Sequence, residues 1–291
     1  MNLPAKLAAA LEATLGQVIE VKPVGGGDIS QAAQIRLIDG SHALIKWHTS
    51  LLPGMFTAER RGLELLRAAG ALRVPQVLAQ NEATTECPAF IVIEWLDTGS
   101  KSPSGAEALG TGLAALHHVT AASYGLDHDN FIGANPQPNR PTDDWVSFFR
   151  EHRLGFQTEL ARRNDLLTAA RARRLESLLA QLDDWLPTHP PASLLHGDLW
   201  GGNWLTTTTG EPALIDPAVY YGHREADLAF TELFGGFPAA FYTAYQAAWP
   251  LESGYEERRD LYNLYHLLNH LNLFGGGYGG SVDSILRQYV G

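Results

Sequence analysis

The segment His196-Gly197-Asp198-Leu199-Trp200-Gly201-Gly202-Asn203 decides the fold class. It has the order H-x-D-L-x-x-x-N, with Asp198 and Asn203 five residues apart. An aspartate at that position can accept the proton of a substrate hydroxyl, while the asparagine oxygen reaches across the loop to a metal ion. Gly201 and Gly202 allow the tight backbone curl that brings both side chains to one cavity. The spacing is typical of phosphotransferase catalytic loops. The structural alternative is a turn with a capping aspartate and a buried asparagine.

A second acid follows this loop at the end of an apolar stretch. Asp216 lies thirteen residues after Asn203, behind Ala213-Leu214-Ile215 and before Pro217-Ala218. Kinases place a metal-binding aspartate at this point, where it holds the ion that bridges the phosphates. The Phe-Gly pair that usually follows is absent, which favours a constitutively assembled site over a flipping activation segment. We therefore expect Asn203 and Asp216 to bind Mg²⁺.

The N-terminal third contains a candidate phosphate contact. Ala43-Leu44-Ile45-Lys46 lies in a strand predicted over 42–47 and resembles the V-A-I-K strand of kinases. A lysine there meets the α- and β-phosphates as a compact positive charge. Glu59, in a helix predicted over 55–69, is expected to pair with Lys46, and Glu64 is the weaker rival. The structural alternative is that Lys46 is an exposed strand lysine and Glu59 a solvated helix residue. For either residue taken alone, that would be the commoner case.

Two further segments are candidates for contacts with ATP. The turn Gly25, Gly26 and Gly27 joins two predicted strands, and its N–H groups can cradle phosphate oxygens, although a plain hairpin loop explains the glycines about as well. Glu94, Trp95 and Leu96 end the strand-rich part of the chain. In a bilobal kinase the backbone of this segment hydrogen-bonds the adenine edge, and core packing of Trp95 is the alternative.

The order of predicted elements gives two lobes. Up to residue 97 the pattern is strand-rich, with helices over 4–15 and 55–69. The following stretch is polar and rich in Ser, Gly and Pro, which indicates a linker. Beyond it, helices are predicted over 107–118, 145–162, 166–186, 226–234, 238–248 and 255–273, interrupted by a β-rich stretch over 194–215. We therefore predict an N-terminal nucleotide-binding lobe over 1–97, a linker over 98–106 and a catalytic and acceptor-binding lobe over 107–291.

The composition restricts the class of function. The 291 residues are 45% hydrophobic, which supports a packed core, and 21 basic against 32 acidic residues give a formal charge of −11. The chain has no bulk attraction for nucleic acid or anionic lipid. A single cysteine, Cys87, excludes an internal disulfide framework and a cysteine-based zinc cluster. No export signal or long apolar run is evident, so we expect a cytoplasmic protein with no membrane partner.

These motifs together resemble the fructosamine kinase family, also called ketosamine-3-kinases. The resemblance runs from about residue 10 to the C-terminus and is carried by HGDLWGGN, by IDPAVYYGHREADLAF from Ile215 and by LYHLLNHLNLFGGGYGGSV from Leu264. GGGDIS at 25–30, NFIG at 130–133 and DWVSFFREHRLGFQ at 144–157 fit the same family. Trp200 and the YYGHRE run separate this family from the related aminoglycoside and choline kinases.

The resemblance implies an α+β, bilobal, protein-kinase-like fold. It implies ATP-dependent phosphorylation of the sugar 3-hydroxyl of ketosamines, either free or on glycated protein lysines, which is a deglycation repair activity. Carried over to this chain, Asp198 is the implied proton acceptor, and Asn203 and Asp216 are the implied Mg²⁺ ligands. Lys46 becomes the phosphate contact with Glu59 as its partner, and the segment 94–96 becomes the ATP hinge.

The acceptor side is predicted with less support from the sequence. Trp200 follows the catalytic aspartate and can form a flat wall against a sugar ring or its amine substituent. Tyr220, His223 and Arg224 follow the metal aspartate, where the acceptor groove should lie, and bracing of the loop is their structural alternative. Asp227 is expected to be structural, capping or anchoring the helix that begins near residue 226.

Two other functions stay open at this stage. One is a related small-molecule kinase that acts on an aminoglycoside or choline-like acceptor. The other is a nucleotide-binding pseudokinase module, which would predict loss of one of the four residues Lys46, Asp198, Asn203 and Asp216, and all four are present. The sequence has no coiled-coil pattern or other dimerisation signature, so it predicts no oligomeric state.

Overall fold

The small lobe is an antiparallel sheet with two helices, seen in a computed structural model that describes residues 3–25, 30–48, 52–85, 87–235 and 237–291. The strand order in the sheet is β1-β2-β3-β5-β4, and every pair is antiparallel. Its elements are α1 (Ala5–Leu15), β1 (Val18–Pro23), β2 (Gln31–Leu37), β3 (His42–His48), α2 (Met55–Ala69), β4 (Val77–Asn81) and β5 (Ala89–Glu94).

Local sequence chemistry accounts for these elements. Buried and exposed residues alternate along β2 and β3, as a sheet with one covered face requires. The turn between them is Asp39-Gly40, where Gly40 has a φ of 89° and the Asp39 carboxylate accepts a 2.9 Å hydrogen bond from the N–H of Ser41. Helix α2 ends at Gly70, whose φ of 65° allows its N–H to bond the carbonyl of Arg67. The helices predicted over 4–15 and 55–69 and the strand predicted over 42–47 are confirmed to within one residue.

The large lobe is mostly helical and contains short strands around the motif residues. Its helices are α3 (Pro103–His117), α4 (Trp145–Phe148), α5 (Phe156–Arg163), α6 (Ala169–Ala180), α7 (Glu225–Leu233), α8 (Ala239–Ala248), α9 (Tyr255–Phe274) and α10 (Gly279–Val290). A π-helical stretch over Phe149–Gly155 joins α4 to α5, and 3₁₀ turns cover Leu182–Asp184 and Gly276–Tyr278. Its strands are β6 (Thr120–Ala121), β7 (Asn130–Ile132), β8 (Asn135–Gln137), β9 (Ala192–Leu195), β10 (Trp204–Thr206), β11 (Pro212–Leu214) and β12 (Tyr220–Gly222).

Two predicted helices have wrong boundaries, and the sequence analysis missed one helix. Helix α3 begins at Pro103 and not at residue 107, because the Ser102 hydroxyl accepts from the N–H of Gly105 and caps the helix, so the predicted linker is four residues shorter. The helix predicted over 166–186 is confined to α6 and a 3₁₀ turn. Helix α10 was not predicted, because glycines open it and interrupt its apolar pattern.

One apolar core extends across both lobes. Phe56, Leu63 and Leu66 of α2 belong to the same buried cluster as Leu199 of the catalytic loop and residues of α3 and α8. At Gly62 the backbone of α2 approaches Pro217 so closely that a Cβ would lie 3.3 Å from its Cγ. Helix α2, which carries Glu59, is therefore packed directly against the segment that follows Asp216. In the described ranges, no helix combines the length and apolar character needed to cross a bilayer.

Candidate active site

The loop between β9 and β10 brings Asp198 and Asn203 together. The amide nitrogen of Asn203 donates to Asp198 Oδ2 at 2.9 Å and to the Asp198 carbonyl at 2.8 Å. The loop turns through Gly197, whose φ is 80° and where a Cβ would lie 2.0 Å from the Ala218 carbonyl oxygen. The predicted meeting of the two side chains is confirmed. Glycine at 197 is required by the left-handed backbone and by that contact.

The buried carboxylate of Asp227, at the start of α7, holds the catalytic loop in place. Asp227 accepts the N–H of His196 at 2.7 Å and the N–H of Gly197 at 2.9 Å. His117 of α3 lies 3.2 Å from the same carboxylate. Burial favours the protonated acid, but the hydrogen bond and charge of His117, aided by these N–H groups, hold the Asp227 pKa below its ordinary value. The expectation that Asp227 is structural is confirmed, but its carboxylate binds the catalytic loop and His117, and α7 has no side-chain cap.

His196 links the catalytic loop to the strand end that carries Asp216. Its Nδ1 accepts the N–H of Asp198 at 3.2 Å, so its Nε2 carries the proton and donates to the Ile215 carbonyl at 2.9 Å. Burial lowers the pKa of this imidazole, which keeps it neutral. The neutral tautomer therefore fixes the distance between the two loops that carry acids.

Lys46 joins the two lobes through two carboxylates. Its Nζ donates to Glu59 Oε1 at 2.8 Å and also to Asp216 Oδ1. Burial opposes the charged amine, but both carboxylates raise the Lys46 pKa, so the ammonium is fully charged. The predicted pairing with Glu59 is confirmed. The rival, Glu64, instead pairs with Arg60 on the exposed face of the same helix.

The acids of the cleft influence one another. Asp216 has a left-handed backbone with a φ of 54°, an uncommon conformation for a residue with a side chain, and its carboxylate is 43% exposed. Its backbone carbonyl lies 3.4 Å from the amide nitrogen of Asn203. Burial, together with the charge of Asp216, raises the pKa of Asp198 to about 7. Carboxylates gathered in this way are suited to a cation, whose charge would relieve their repulsion.

The donor set suits Mg²⁺ bound jointly with a nucleotide. The Asn203 amide nitrogen faces Asp198, which leaves the amide oxygen available as a ligand, and Asp216 provides a partly exposed carboxylate. Over the described part of the chain, no cluster of three His, Cys, Asp or Glu side chains could hold a metal by itself. Mg²⁺ is commonly held by one or two protein oxygens and completed by phosphate and water oxygens. The residues therefore fit a magnesium ion that arrives with phosphates.

The residues of the predicted hinge differ in the hydrogen bonds that they make within the protein. The N–H of Glu94 donates to the Gln76 carbonyl at 2.8 Å, and its carboxylate binds Arg73 and the N–H of Gln76. Trp95 is partly exposed, and its indole N–H donates to Asp97 at 2.9 Å, so core packing of Trp95 is excluded. Glu94 is therefore committed to the small lobe through its N–H and side chain, while Trp95 and Leu96 are half-buried and their contact with adenine stays a prediction.

The linker after the hinge is fixed to the catalytic loop. The N–H of Gly99 donates to the Thr206 carbonyl at 2.7 Å, and the N–H of Thr208 donates to the Asp97 carbonyl at 2.9 Å. Lys101 donates to the Gly201 carbonyl at 3.1 Å, and its ammonium lies 3.9 Å from the ring centroid of Trp204. Sequence reasoning missed Lys101, because a lysine within a polar Ser/Gly/Pro stretch carries no local signal of such a contact.

The glycine turn is only partly described. Gly26 and Gly27 lie outside the described residues, as does Asp28, so their predicted contact with ATP stays a prediction. Gly25 is exposed and has open space around its Cα. Cys87 is a free, half-buried thiol in the loop before β5, and burial raises its pKa.

The prediction of three acceptor residues is wrong. The side chains of Tyr220, His223 and Arg224 are buried and have partners in the large-lobe core, so they line no open groove. Arg153 lies 3.9 Å from the ring centroid of Tyr220, and His223 Nδ1 lies 2.7 Å from the hydroxyl of Tyr262. Arg224 donates to the carbonyls of Trp249 and Pro250 and to the Tyr245 hydroxyl. These side chains are buried because β12 and the residues that follow it pass through the interior of the large lobe.

Trp200 differs from these residues because its side chain is 43% exposed on the catalytic loop. Its ring lies against Gly202, where a Cβ would come within 2.4 Å of the indole. The flat face predicted for an acceptor is therefore available at this position. The two histidines spaced four apart on α9 are not a metal pair, since His266 stacks on Phe230 at 3.5 Å between ring centroids.

Comparison with known proteins agrees with this geometry. The sequence profile of a family described as Fructosamine kinase matches residues 3–291. A protein from Synechocystis, provisionally named a ketoamine kinase, is 44% identical over 99% of this chain and 98% of its own length. The protein named chloroplastic protein-ribulosamine 3-kinase from Arabidopsis thaliana is 40% identical over 94% of this chain and 83% of its own.

Solved structures extend the comparison to the fold. A protein from Thermobifida fusca, provisionally named a fructosamine-3-kinase, has a TM-score of 0.87 at 33% identity, and the match covers 96% of each chain. An aminoglycoside phosphotransferase solved with AMP-PNP and hygromycin B has a TM-score of 0.70 at 16% identity, covering 99% of this chain and 100% of the other. At that identity the likeness shows a shared kinase-like fold alone, which confirms the predicted α+β bilobal architecture.

Proposed function

The chain belongs to the fructosamine kinase family, and from that premise we propose that it transfers the γ-phosphoryl group of ATP to the sugar 3-hydroxyl of a ketosamine. One observation carries this proposal, namely an unbroken run of contacts across the cleft. Asp198 contacts Asn203, Asn203 contacts the backbone of Asp216, and Asp216 contacts Lys46. A proton acceptor, two ligands for a cation and a phosphate-binding ammonium thus lie side by side.

In this mechanism Asp198 accepts the proton of the acceptor hydroxyl and orients that oxygen in line with the γ-phosphorus. Burial keeps the carboxylate poorly hydrated, and the Asn203 amide and the Asp227 anchor fix its direction. Positioning provides most of the rate enhancement, because phosphoryl transfer needs little covalent chemistry from the protein. The transfer is direct and requires no phosphorylated residue of this chain.

On the nucleotide side, Lys46 binds the phosphates and Glu59 holds the ammonium in place. Asn203 and Asp216 would hold Mg²⁺, which neutralises phosphate charge when it is bound. The charge pair between Lys46 and Asp216 keeps the two lobes in register before the nucleotide arrives. Trp95 and Leu96 contact adenine through the backbone, and contact of the glycine turn at 25–27 with the phosphates stays a prediction from the sequence.

On the acceptor side, Trp200 provides a flat face for the sugar or its amine. The acceptor is a free ketosamine or a glycated lysine of a protein, and the activity serves deglycation. The cytoplasm is the proposed compartment, a choice supported by the single thiol and by the absence of cysteine pairs in the sequence.

The test is Mg²⁺-dependent ATP consumption against ribulosamines, fructosamines, an aminoglycoside and choline, with EDTA as the control. We expect turnover on a ketosamine and none when EDTA is present. Turnover on the aminoglycoside or on choline alone would support a kinase activity and contradict the proposed ketosamine substrate. Tight Mg²⁺–ATP binding without turnover on any acceptor would favour a nucleotide-binding module.

A further inference from the structure

The hairpin formed by β7 and β8 contacts the segment that follows the metal aspartate. It begins with the NFIG stretch over 130–133, to which the proposed function gives no role. Two polar side chains of the hairpin, Asn130 and Gln137, are only 4% and 1% exposed. Buried side-chain amides normally have hydrogen-bond partners. The partners of these two amides therefore indicate what the hairpin does.

Both amides donate to backbone carbonyls that lie just after Asp216. Asn130 Nδ2 donates to the Val219 carbonyl at 2.8 Å, and Gln137 Nε2 donates to the Ala218 carbonyl at 3.0 Å. Ala218 and Val219 are buried, so a carbonyl that lost its donor would be left unsatisfied away from water. The hairpin therefore holds the backbone two and three residues beyond the metal aspartate.

The direction of the Gln137 amide is fixed by its other partners. Its Oε1 accepts from the Tyr265 hydroxyl at 2.6 Å, and its Nε2 also donates to Asn130 Oδ1 at 2.8 Å. Reversing the amide would place its oxygen against two other oxygens, those of the Asn130 side chain and the Ala218 carbonyl. The donor of Gln137 is therefore held on the Ala218 carbonyl.

A chain of hydrogen bonds leads from a buried guanidinium to the Val219 carbonyl. Arg153 Nη2 donates to Asn139 Oδ1 at 2.8 Å, and Asn139 Nδ2 donates to Asn130 Oδ1 at 2.8 Å. Asn130 then donates to the Val219 carbonyl. All donors in this chain point the same way, so each bond polarises and strengthens the next. The charge of Arg153, which is fully buried, is the source of that polarisation.

The backbone of Asp216 needs such support. Its φ of 54° is left-handed, a conformation that a residue with a side chain keeps where the surrounding structure enforces it. Before it, the Ile215 N–H donates to the Asn203 carbonyl at 3.0 Å. After it, the Ala218 N–H donates to the His196 carbonyl at 2.9 Å. The catalytic loop thus holds N–H groups on both sides of Asp216, and the hairpin holds the carbonyls that follow it.

We propose that Asn130 and Gln137 are positioning residues for Asp216, and that their amides set the affinity of this site for Mg²⁺ bound with ATP. The inference rests on the proposed function, in which Asp216 is a ligand of that ion. Mg²⁺ demands near-octahedral geometry and short oxygen distances, so a small displacement of a ligand weakens its binding. A carbonyl that lost its amide donor would turn toward other donors and carry the Asp216 carboxylate with it.

The test measures the Kd for ATP by calorimetry, in Mg²⁺ and in EDTA, for the wild-type protein and for Gln137→Met and Asn130→Leu. Both substitutions keep the approximate side-chain volume and remove the donor. We expect each to weaken Mg²⁺–ATP binding by about fivefold, the effect of losing one hydrogen bond, and to leave the Kd in EDTA unchanged. The control Gln157→Met removes an equally buried amide, which bonds Asn269 and Asn272 of α9, and should change neither Kd.

Calorimetry also separates positioning from a loss of folding. Unfolded protein lowers the stoichiometry of the titration and leaves the Kd of the folded fraction as it is. One folded variant suffices, because the two substitutions release different carbonyls. In turnover assays, the KM for Mg²⁺–ATP should rise in Gln137→Met and Asn130→Leu while the KM for the ketosamine stays the same.

Other results overturn the inference in different ways. Equal changes of Kd in Mg²⁺ and in EDTA would assign the effect to the nucleotide pocket and not to the metal aspartate. An unchanged Kd in both variants, as in Gln157→Met, would make the hairpin amides purely structural. Tight Mg²⁺–ATP binding by the wild-type protein without turnover of any ketosamine would contradict the proposed function, and the change of Kd in the variants would still decide the inference.

Discussion

The catalytic loop and the Lys46 cluster lie in the same cleft but are held in different ways. The loop around Asp198 is held within one lobe by buried hydrogen bonds that its N–H groups at His196 and Gly197 donate to Asp227. Lys46, Glu59 and Asp216 come from three elements in two lobes, and the Asp216 carboxylate is partly open to solvent. The hydrogen bonds that hold the proton acceptor therefore lie within the large lobe, whereas the phosphate contact depends on how the lobes meet.

The difference separates the two halves of the reaction, which are proton acceptance at the loop and nucleotide binding at the Lys46 cluster. Interactions in the loop are short, buried and directed by backbone groups, so they change little when a ligand arrives. The Lys46 cluster consists of charges whose partners are exchanged when phosphates and a cation enter. We therefore expect substitutions in the loop to affect turnover and stability, and substitutions in the Lys46 cluster to affect nucleotide affinity.

The largest effect is expected from Asp198→Asn. The variant removes the proton acceptor and keeps the shape of the side chain, so kcat should fall by about a thousandfold, within the range of general-base catalysis. The Kd for ATP, measured by calorimetry, should stay within about twofold, because the ammonium of Lys46 is untouched. Near-normal turnover would exclude Asp198 as the acceptor. Asp216→Ala is the matched comparison, since it should weaken Mg²⁺–ATP binding as well as turnover.

The next effect is expected from Asp227→Asn. An amide nitrogen would face the N–H donors of His196 or Gly197, which leaves buried donors unsatisfied and costs about 3 kcal/mol of unfolding free energy. Urea unfolding measures this loss, and kcat should fall with it. Asp283→Asn, at a carboxylate paired with Arg171 in the same lobe, controls for loss of an ion pair. A stable Asp227 variant with low kcat would mean that the anchor orients the loop without stabilising the fold.

A smaller effect is expected from Glu59→Gln. The ammonium of Lys46 keeps Asp216 as a partner, so a partly buried pair worth about 1 kcal/mol is lost and the KM for ATP should rise about fivefold. Glu64→Gln on the same helix, whose partner is Arg60, provides the control and should leave KM as it is. Equal effects of the two substitutions would remove Glu59 from the nucleotide site.

The last expected effect needs no substitution and is a change with pH. Burial and the charge of Asp216 raise the pKa of Asp198 to about 7, and only the deprotonated carboxylate accepts a proton. The value of kcat/KM should therefore fall as the pH drops below the inflection, by about tenfold per unit, and be level above it. Because Mg²⁺ on Asp216 would offset the like charge, the inflection of the loaded enzyme should lie below that of the free protein. A flat profile from mildly acidic to neutral pH would contradict the assignment.

The sequence predicted the parts of the site that lie in short motifs. Asp198 and Asn203 are separated by one loop, and Lys46 lies on a strand whose register follows from alternation, so local spacing determined both. Glu59 could be chosen over Glu64 because α2 has a regular period. Each of these residues is specified by neighbours within about one turn or one strand.

The predictions that were wrong or missing concern residues whose positions depend on contacts distant in sequence. Tyr220, His223 and Arg224 follow a motif aspartate, yet the turn of β12 into the core buries them against α9 and the Trp249–Pro250 segment. Lys101 reaches Gly201 across a hundred residues, and no pattern in a polar linker indicates that contact. Helix α10 begins with glycines, so packing on α6 and α9 determines it and propensity does not.

The most direct test of the account is to locate the transferred phosphate. Wild-type protein, ATP, Mg²⁺ and a small ketosamine would be incubated to completion, and the product would be assigned by phosphorus–carbon correlation in NMR. The account predicts phosphate on the sugar 3-hydroxyl oxygen and no product when EDTA replaces Mg²⁺. Phosphate on a different hydroxyl, or an unmodified ketosamine beside a phosphorylated aminoglycoside, would contradict it.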